Sequence, residues 1–519
     1  MSRVPTLSQR HRPATGVSGL LLSAAEIHPH APFLRDRFGA EWSYGEAAEA
    51  ARSVAGWLAA RGVRRGDRVA IHLRNRSEIA VALFATSLVG AVYVVLNARL
   101  KEKGLKKILE QAEPAAIVAD EETAPVLSDS GAIPNRLFVG EEAPEGWTRW
   151  EEALDFDPFA GAWTGVSVDP ACLVFTSGST GTPRGVTLSH ENIRFVVAAI
   201  QERLRYRPED IIGCFLPAAF DYGLYQIFLA AQSGACLYLG DPEQVGPRLP
   251  RVMNEAGVSV LPGVPSVYAA LIALGRRRPL DLPKLRAITN TGERLPLSYI
   301  EELREAFPAL EVFVMYGLTE CKRVSIMTPE EFETHPDAVG RALGDTEVYA
   351  VSEEGGRLPP GKVGELVVRG RHVALGYWRA PEETARRFRK RAPESAVELF
   401  TGDSGSVDEE GFIYFHARSD DWLKHRGNRI SPVEIETEAC ALASVVEASL
   451  HWRERDDSLH LFVTTSEPVE GDEILRALGD SLEPAKVPEY AVILPEMPKS
   501  VNGKIDRKEL ARRVEETGA

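Results

Sequence analysis

Apolar and alanine positions recur at helical spacing from Tyr44 to Leu58, and the turn Arg65-Gly66-Asp67 then leads into a short, mostly apolar run, Val69 to Leu73. The first pattern predicts an amphipathic helix and the second a buried strand. The alternation continues with helix Ile79 to Val89, strand Ala91 to Leu96, helix Leu105 to Gln111, strand Ala115 to Val118, helix Ile193 to Leu204 and strand Ile211 to Phe215. Helices alternating with apolar strands predict an α/β fold with helices on both faces of largely parallel sheets.

Beyond about Gly361 the texture changes. Short alternating runs, Gly364 to Val368 and Gly411 to Phe415, stand between glycines and charges and predict a small antiparallel sheet. The charged turn Arg418 to Asp421 precedes a last stretch of roughly a hundred residues, the size of a small domain. The expected division is a large domain over 1–419 and a small one over 420–519.

A chain of 519 residues exceeds what one hydrophobic core serves, which agrees with that division. The formal charge of -15 repels phosphate backbones and anionic lipid, so nucleic acid and membrane surfaces are excluded as general partners and any nucleotide must be held by local chemistry. Cys172, Cys214, Cys236, Cys321 and Cys440 are scattered, odd in number and without CxxC spacing, which speaks against a disulfide framework or structural zinc and for a reducing cytoplasm. The N-terminal apolar run Leu20 to Leu22 is too short for a signal core, and Val258 to Leu274 contains Pro262 and Pro265 and falls short of a bilayer span. No targeting or spanning segment is expected.

The segment Leu173-Val-Phe-Thr-Ser-Gly-Ser-Thr-Gly-Thr-Pro-Arg-Gly-Val186 is an apolar strand running into small and hydroxylic residues, with a helix starting near Ser189, whose side chain can cap it with Asn192 three residues on. Its backbone N–H groups and the hydroxyls of Thr176, Ser177, Ser179 and Thr180 suit a polyphosphate. The GxxxxGK[ST] spacing is absent, so this is no Walker loop. Composition alone allows a plain surface loop equally well.

This segment resembles the signature of the adenylate-forming superfamily: acyl-CoA synthetases, peptide-synthetase adenylation domains and luciferases. Further matching segments follow in the family's order: Trp42-Ser-Tyr-Gly-Glu46, Phe220-Asp221, Asn290-Thr-Gly-Glu-Arg294, Tyr316-Gly-Leu-Thr-Glu320, Thr401-Gly-Asp403, Arg418-Ser-Asp-Asp421 and Asn502-Gly-Lys504. The resemblance spans nearly the whole chain. It implies stacked α/β sheets with a β-barrel-like subdomain, followed by a mobile α+β C-terminal domain hinged at Asp420, and ATP-dependent conversion of a carboxylic acid to an acyl-adenylate.

The resemblance also implies roles. Thr176, Ser177, Gly178, Ser179, Thr180, Gly181 and Arg184 match the phosphate loop. Thr291, Gly292 and Glu293 match the segment around the base, and Tyr316 and Gly317 the adenine-stacking ring and its neighbour. Asp403 matches the carboxylate on the ribose hydroxyls and Arg418 its basic partner. Thr319 and Glu320 match the catalytic pair whose glutamate holds Mg²⁺, an ion typically bound by one or two carboxylates and phosphate oxygens. Lys504 matches the mobile lysine that bridges substrate carboxylate and α-phosphate. Phe220, Asp221 and Gly292 fall at the substrate pocket and Gly427 at the thiol tunnel, where the lack of a side chain admits a narrow arm.

Three positions depart from the common pattern. Arg184 stands where lysine is usual, a planar fork in place of a compact ammonium. Asn290-Thr-Gly-Glu-Arg replaces the Gly-Gly-Ala type of many CoA ligases. Phe220-Asp221 replaces Phe-His and matches amino-acid-activating domains, so Asp221 either pairs with a substrate ammonium or serves the start of the following helix. Lys322 and Arg323, directly after Glu320, either favour a second acidic group on the substrate or form a solvated charge pair.

Few residues follow Lys504 and none resembles a carrier segment, so the thiol acceptor, coenzyme A or a carrier-protein phosphopantetheine, is expected in trans. The leading expectation is an acid–thiol ligase of acyl-CoA synthetase type using ATP and Mg²⁺. Its alternatives are an amino-acid-activating enzyme loading a carrier protein, a luciferase-like oxidase and a degenerate ATP-binding protein.

Overall fold

The computed structural model describes residues 16–127, 133–161, 165–177, 183–392, 395–418, 423–425, 428–453, 455–500 and 503–517. The chain packs as two units, one drawn from Met1–Ile212, Pro217–Gly240 and Ala374–Ala385, the other from Gly213–Leu216, Asp241–Val373 and Arg386–Ala519.

In the first unit an eight-stranded sheet runs, in spatial order, Gly376–Tyr377, Pro183–Ser189, Pro170–Ser177, Val92–Val95, Arg68–His72, Ala116–Asp120, Asn135–Val139, Thr148–Arg149. From Pro170–Ser177 onward the pairs are parallel. Strand Pro183–Ser189 is antiparallel to both neighbours. The predicted helix at Tyr44 is present as Tyr44–Ala60, and its start is set by a capping box in which Ser43 and Glu46 bond reciprocally. The Tyr44 hydroxyl donates to the carbonyls of Ala230 (2.7 Å) and Ala235 (2.8 Å). The Trp42-Ser-Tyr-Gly-Glu46 segment therefore works as scaffold: a cap, an anchor, and Gly45, whose added Cβ would stand 2.9 Å from the Pro29 carbonyl oxygen.

In the second unit, strands Val260–Gly263, Ala287–Asn290 and Glu311–Tyr316 are parallel, and Ser325–Met327 and Arg341–Ala342 extend them antiparallel. The antiparallel sheet expected after Gly361 is there: Thr346–Val351, Gly364–Gly370 and Glu398–Val407 in order, with Phe388–Arg389 and Ile413–Arg418 also paired to Glu398–Val407.

The last hundred residues are α+β: strands Val445–Arg453, Ser458–Thr465 and Tyr490–Ile493 with helices Pro432–Cys440, Gly471–Ser481 and Arg507–Thr517. They enclose their own apolar core, including Ile435, Leu450, Leu461, Ile474 and Leu478. By packing, this stretch belongs to the same unit as Asp241–Val373, so near residue 420 the core changes while the unit continues. All five cysteines are free and buried, and burial pushes the Cys214 thiol up to about 12 and Cys236 up to about 11. Among the described residues no helix is long and apolar enough to cross a membrane.

Candidate active site

Strands Ala287–Asn290 and Glu311–Tyr316 run parallel with Asn290 opposite Val314. Ligands of open α/β sheets collect beyond the C-terminal ends of such strands, and both strands here end in the segments singled out from the sequence. After Asn290 come Thr291, buried, and Gly292, exposed with φ +93°, a backbone conformation that favours glycine. After Tyr316 comes Gly317, where the chain folds back so tightly that an added Cβ would lie 2.2 Å from the Lys322 carbonyl oxygen. This fold-back leaves Thr319 and Glu320 half-buried in the turn and puts Lys322 at φ +62°.

Tyr316 and Asp403 are brought together. The Tyr316 hydroxyl donates to Asp403 Oδ2 at 2.6 Å, and its ring lies against Phe415 with centroids 5.6 Å apart. Burial, then the adjacent Asp403, hold the Tyr316 hydroxyl well above its ordinary range, so it stays a donor. Asp403 is itself set by its neighbours: Thr401 Oγ1 accepts from the Asp403 N–H at 3.0 Å and donates to the Leu366 carbonyl at 2.6 Å. Gly402, at φ +71°, donates its N–H to Glu365. Strand register puts Arg418 directly across from Asp403.

Lys504 reaches the first of these segments. Its Nζ donates to the Gly292 carbonyl at 3.2 Å, and one residue earlier the Gly503 carbonyl accepts from Ser266 Oγ at 2.8 Å. The lysine sits on a tight turn in which Ser500 and Lys504 bond through their backbones. Burial raises the Glu293 carboxyl above its usual range, against the opposing pull of Lys504, Arg507 and Lys499. Ser266, inside an apolar helix, carries no motif that would have marked it. Of the basic pair after Glu320, Arg323 meets the segment that follows Asn290: its Nη1 donates to Thr291 Oγ1 at 2.7 Å.

Other segments singled out from the sequence fall in the first unit. Thr176 faces Arg184 and Ser177 faces Pro183 in an antiparallel hairpin. Strand Pro183–Ser189, paired with Pro170–Ser177, thus comes before the helix that Ser189 and Asn192 cap as expected. The Arg184 guanidinium lies 5.9 Å from the Tyr377 ring centroid. Phe220 is the N-cap of helix Asp221–Ser233 and makes no side-chain cap bond, so Asp221 is the first helical residue and not the cap. Gly178, Ser179, Thr180, Gly181, Asp420 and Gly427 lie outside the described residues, and only the backbones of Ser177 and Arg418 are described.

Among the described residues no three His, Cys, Asp or Glu side chains cluster as a metal cage. The half-buried Glu320 fits Mg²⁺ in the mode where one carboxylate shares the ion with phosphate oxygens.

The profile of the AMP-binding enzyme family matches residues 21–378. The L-proline--[L-prolyl-carrier protein] ligase of Streptomyces coelicolor is 28% identical over 495 residues, which cover 90% of this chain and 91% of that protein. Tyrocidine synthase 3 of Brevibacillus parabrevis is 28% identical over 480 residues, 91% of this chain. The chain spans between 7% and 35% of the length of that synthase and three other large curated relatives it matches. The crystal structure of VinN superposes with a TM-score of 0.70 at 35% identity, covering 78% of this chain and 99% of VinN. With the profile spanning more than half its length, the chain belongs to the AMP-binding enzyme family, a member of the adenylate-forming superfamily.

Proposed function

We propose that this chain uses ATP to convert a carboxylic acid to its acyl-adenylate and then passes the acyl group to a thiol. The observation that carries the reading is Lys504 lodged on Gly292, just past the end of one parallel strand, while the neighbouring strand ends at Tyr316, which is bonded to Asp403. In the first step a carboxylate oxygen attacks the α-phosphorus, the bond to the bridging β-oxygen breaks and pyrophosphate leaves. Two anions meet there, so fixed cations must neutralise charge in line. Lys504 takes that role between carboxylate and α-phosphate. Asp403, opposite Arg418, accepts the ribose hydroxyls, and Tyr316 provides the face for the base, with Thr291, Gly292, Glu293 and Gly317 around it. Thr176 to Gly181 and Arg184 hold the outer phosphates. Mg²⁺ at Glu320, next to Thr319, screens the triphosphate when bound.

Of the acids the fold could take, an amino acid is the best supported. Asp221 is the first residue of helix Asp221–Ser233, and its carboxylate is the group that would meet a substrate ammonium in the Phe220-Asp221 pocket. VinN has been solved in complex with L-aspartate, and the Streptomyces coelicolor relative is named for an amino acid and its carrier protein. A carrier-protein phosphopantetheine is accordingly favoured over coenzyme A, and its arm would enter past Gly427. Residues 1–419 and 420–519 act as two domains turning about Asp420, so that Lys504 withdraws before the thiol arrives.

The test is ATP–pyrophosphate exchange against pools of fatty, aryl, dicarboxylic and amino acids, followed by thioester detection with coenzyme A and with a phosphopantetheinylated carrier. Exchange with the amino-acid pool is expected. Exchange with none, while ATP binds, would overturn the reading.

A further inference from the structure

Asn290 ends strand Ala287–Asn290 with its side chain fully buried, and among the described residues neither Nδ2 nor Oδ1 of its amide has a hydrogen-bond partner. Burying an amide without hydrogen bonds costs free energy, so a native chain keeps one where something else completes it. The sheet explains why no side chain beside it does. Asn290 is paired with Gly263 on one side and Val314 on the other, a residue with no side chain and one with no polar side-chain atom.

Register and alternation fix the face on which the amide lies. Residues paired across neighbouring strands share a face, and so do residues two apart on one strand. Asn290 therefore shares a face with Val314, and Val314 with Tyr316, two positions on in strand Glu311–Tyr316. The amide and the Tyr316 ring thus stand over the same side of the sheet, at the strand ends where ligands collect. Tyr316 is the face proposed above for the base of ATP. A primary amide offers a donor and an acceptor in one plane, and adenine presents the matching pair, a 6-amino group beside a ring nitrogen, where hypoxanthine and guanine present a 6-carbonyl.

We infer that the Asn290 side chain reads the edge of the adenine ring, Oδ1 accepting from the 6-amino group and Nδ2 donating to the adjacent ring nitrogen, and so sets the preference for ATP over other purine triphosphates. This rests on the adenylation reading above, which gave the base a stacking face but no group that tells one purine from another. The amide is enclosed, two residues before the exposed Gly292 that holds Lys504, so the base reaches it as that segment parts. A single buried water would satisfy the same two atoms, and the experiment separates the two.

Binding of ATP and of purine ribonucleoside triphosphate, which carries hydrogen in place of the 6-amino group, is measured by titration calorimetry with Mg²⁺ on the unaltered chain, on Asn290→Leu and on Asn290→Ala, with Tm recorded for each. The unaltered chain should bind ATP about 5- to 150-fold more tightly, the discrimination of a bidentate amide–base pair, and a folded variant should bind the two nucleotides alike. Leucine keeps the shape and removes the buried polar atoms, so the Tm of Asn290→Leu should not fall. Equal binding of the two nucleotides by the unaltered chain overturns the inference while leaving adenylation standing, and needs no variant to fold. A folded variant that keeps the preference for ATP also overturns it and, with a lowered Tm, assigns the amide to a buried water. If neither nucleotide binds, the adenylation reading falls with it.

Discussion

Tyr316 Oη stands 2.6 Å from Asp403 Oδ2, joining the end of a parallel strand to an antiparallel sheet 87 positions further along the chain. The bond fixes how Asp403 presents its carboxylate, the group proposed to accept the two hydroxyls of a ribose. Tyr316→Phe removes the donor and keeps the ring. KM for ATP is expected to rise about 10-fold, in line with one hydrogen bond to a charged group, with kcat changed far less. Steady-state exchange kinetics against ATP concentration check this, and an unchanged KM would detach Tyr316 from nucleotide binding.

Lys504→Ala should lower adenylate formation about 100-fold or more, the scale of losing one positioned donor to developing charge. Thioester formation from a supplied acyl-adenylate should continue. Separate assays of the two half-reactions decide, and an equal loss in both would refute the role given to this lysine.

Gly317→Ala puts a methyl group 2.2 Å from the Lys322 carbonyl oxygen and 2.9 Å from Arg323 Cα, both backbone atoms that cannot swing aside. Destabilisation of about 1–3 kcal/mol is expected from such overpacking, read as a lower Tm. The fold-back carrying Glu320, Lys322 and Arg323 shifts with it, so kcat/KM for the acid should fall as well. A variant with unaltered Tm would show that the turn yields.

Acid should weaken the fold before its carboxylates titrate. Burial pushes His72, His190 and His372 from 6.5 down to about 4. His190 Nδ1 accepts from the Val17 N–H at 3.1 Å, a bond only the neutral ring can make. The unfolded chain therefore binds more protons than the folded one between about pH 6.5 and 4. Stability is complete above that window and falls as pH drops through it, by on the order of 3 kcal/mol per histidine at the bottom. Urea midpoints from pH 7.5 to 4.5 measure the slope. A flat profile to pH 5 would contradict the burial of these rings as neutral groups.

What the sequence made legible was local. The helix at Tyr44 follows from its period, and the Ser189–Asn192 cap from residues three apart. The strand Pro183–Ser189 has no clear local signature because it is short and carries two residues, Pro183 and Gly185, that weaken any strand signal. Contacts between distant residues had no local signature at all. Arg323 with Thr291, and Ser266 with Gly503, exist because parallel strands and a C-terminal turn bring their ends together. The functional signatures were readable one by one, but not which of them meet.

The turn that carries Lys504 touches its dock through Ser266 to the Gly503 carbonyl and through Nζ to the Gly292 carbonyl. Each such bond is worth only about 1–3 kcal/mol, small enough for binding and release of anions to change the balance. ATP and the acid would lengthen the residence of the lysine by adding its anionic partners, and departure of pyrophosphate would shorten it again. Chemistry at the α-phosphate would itself set the clock for opening.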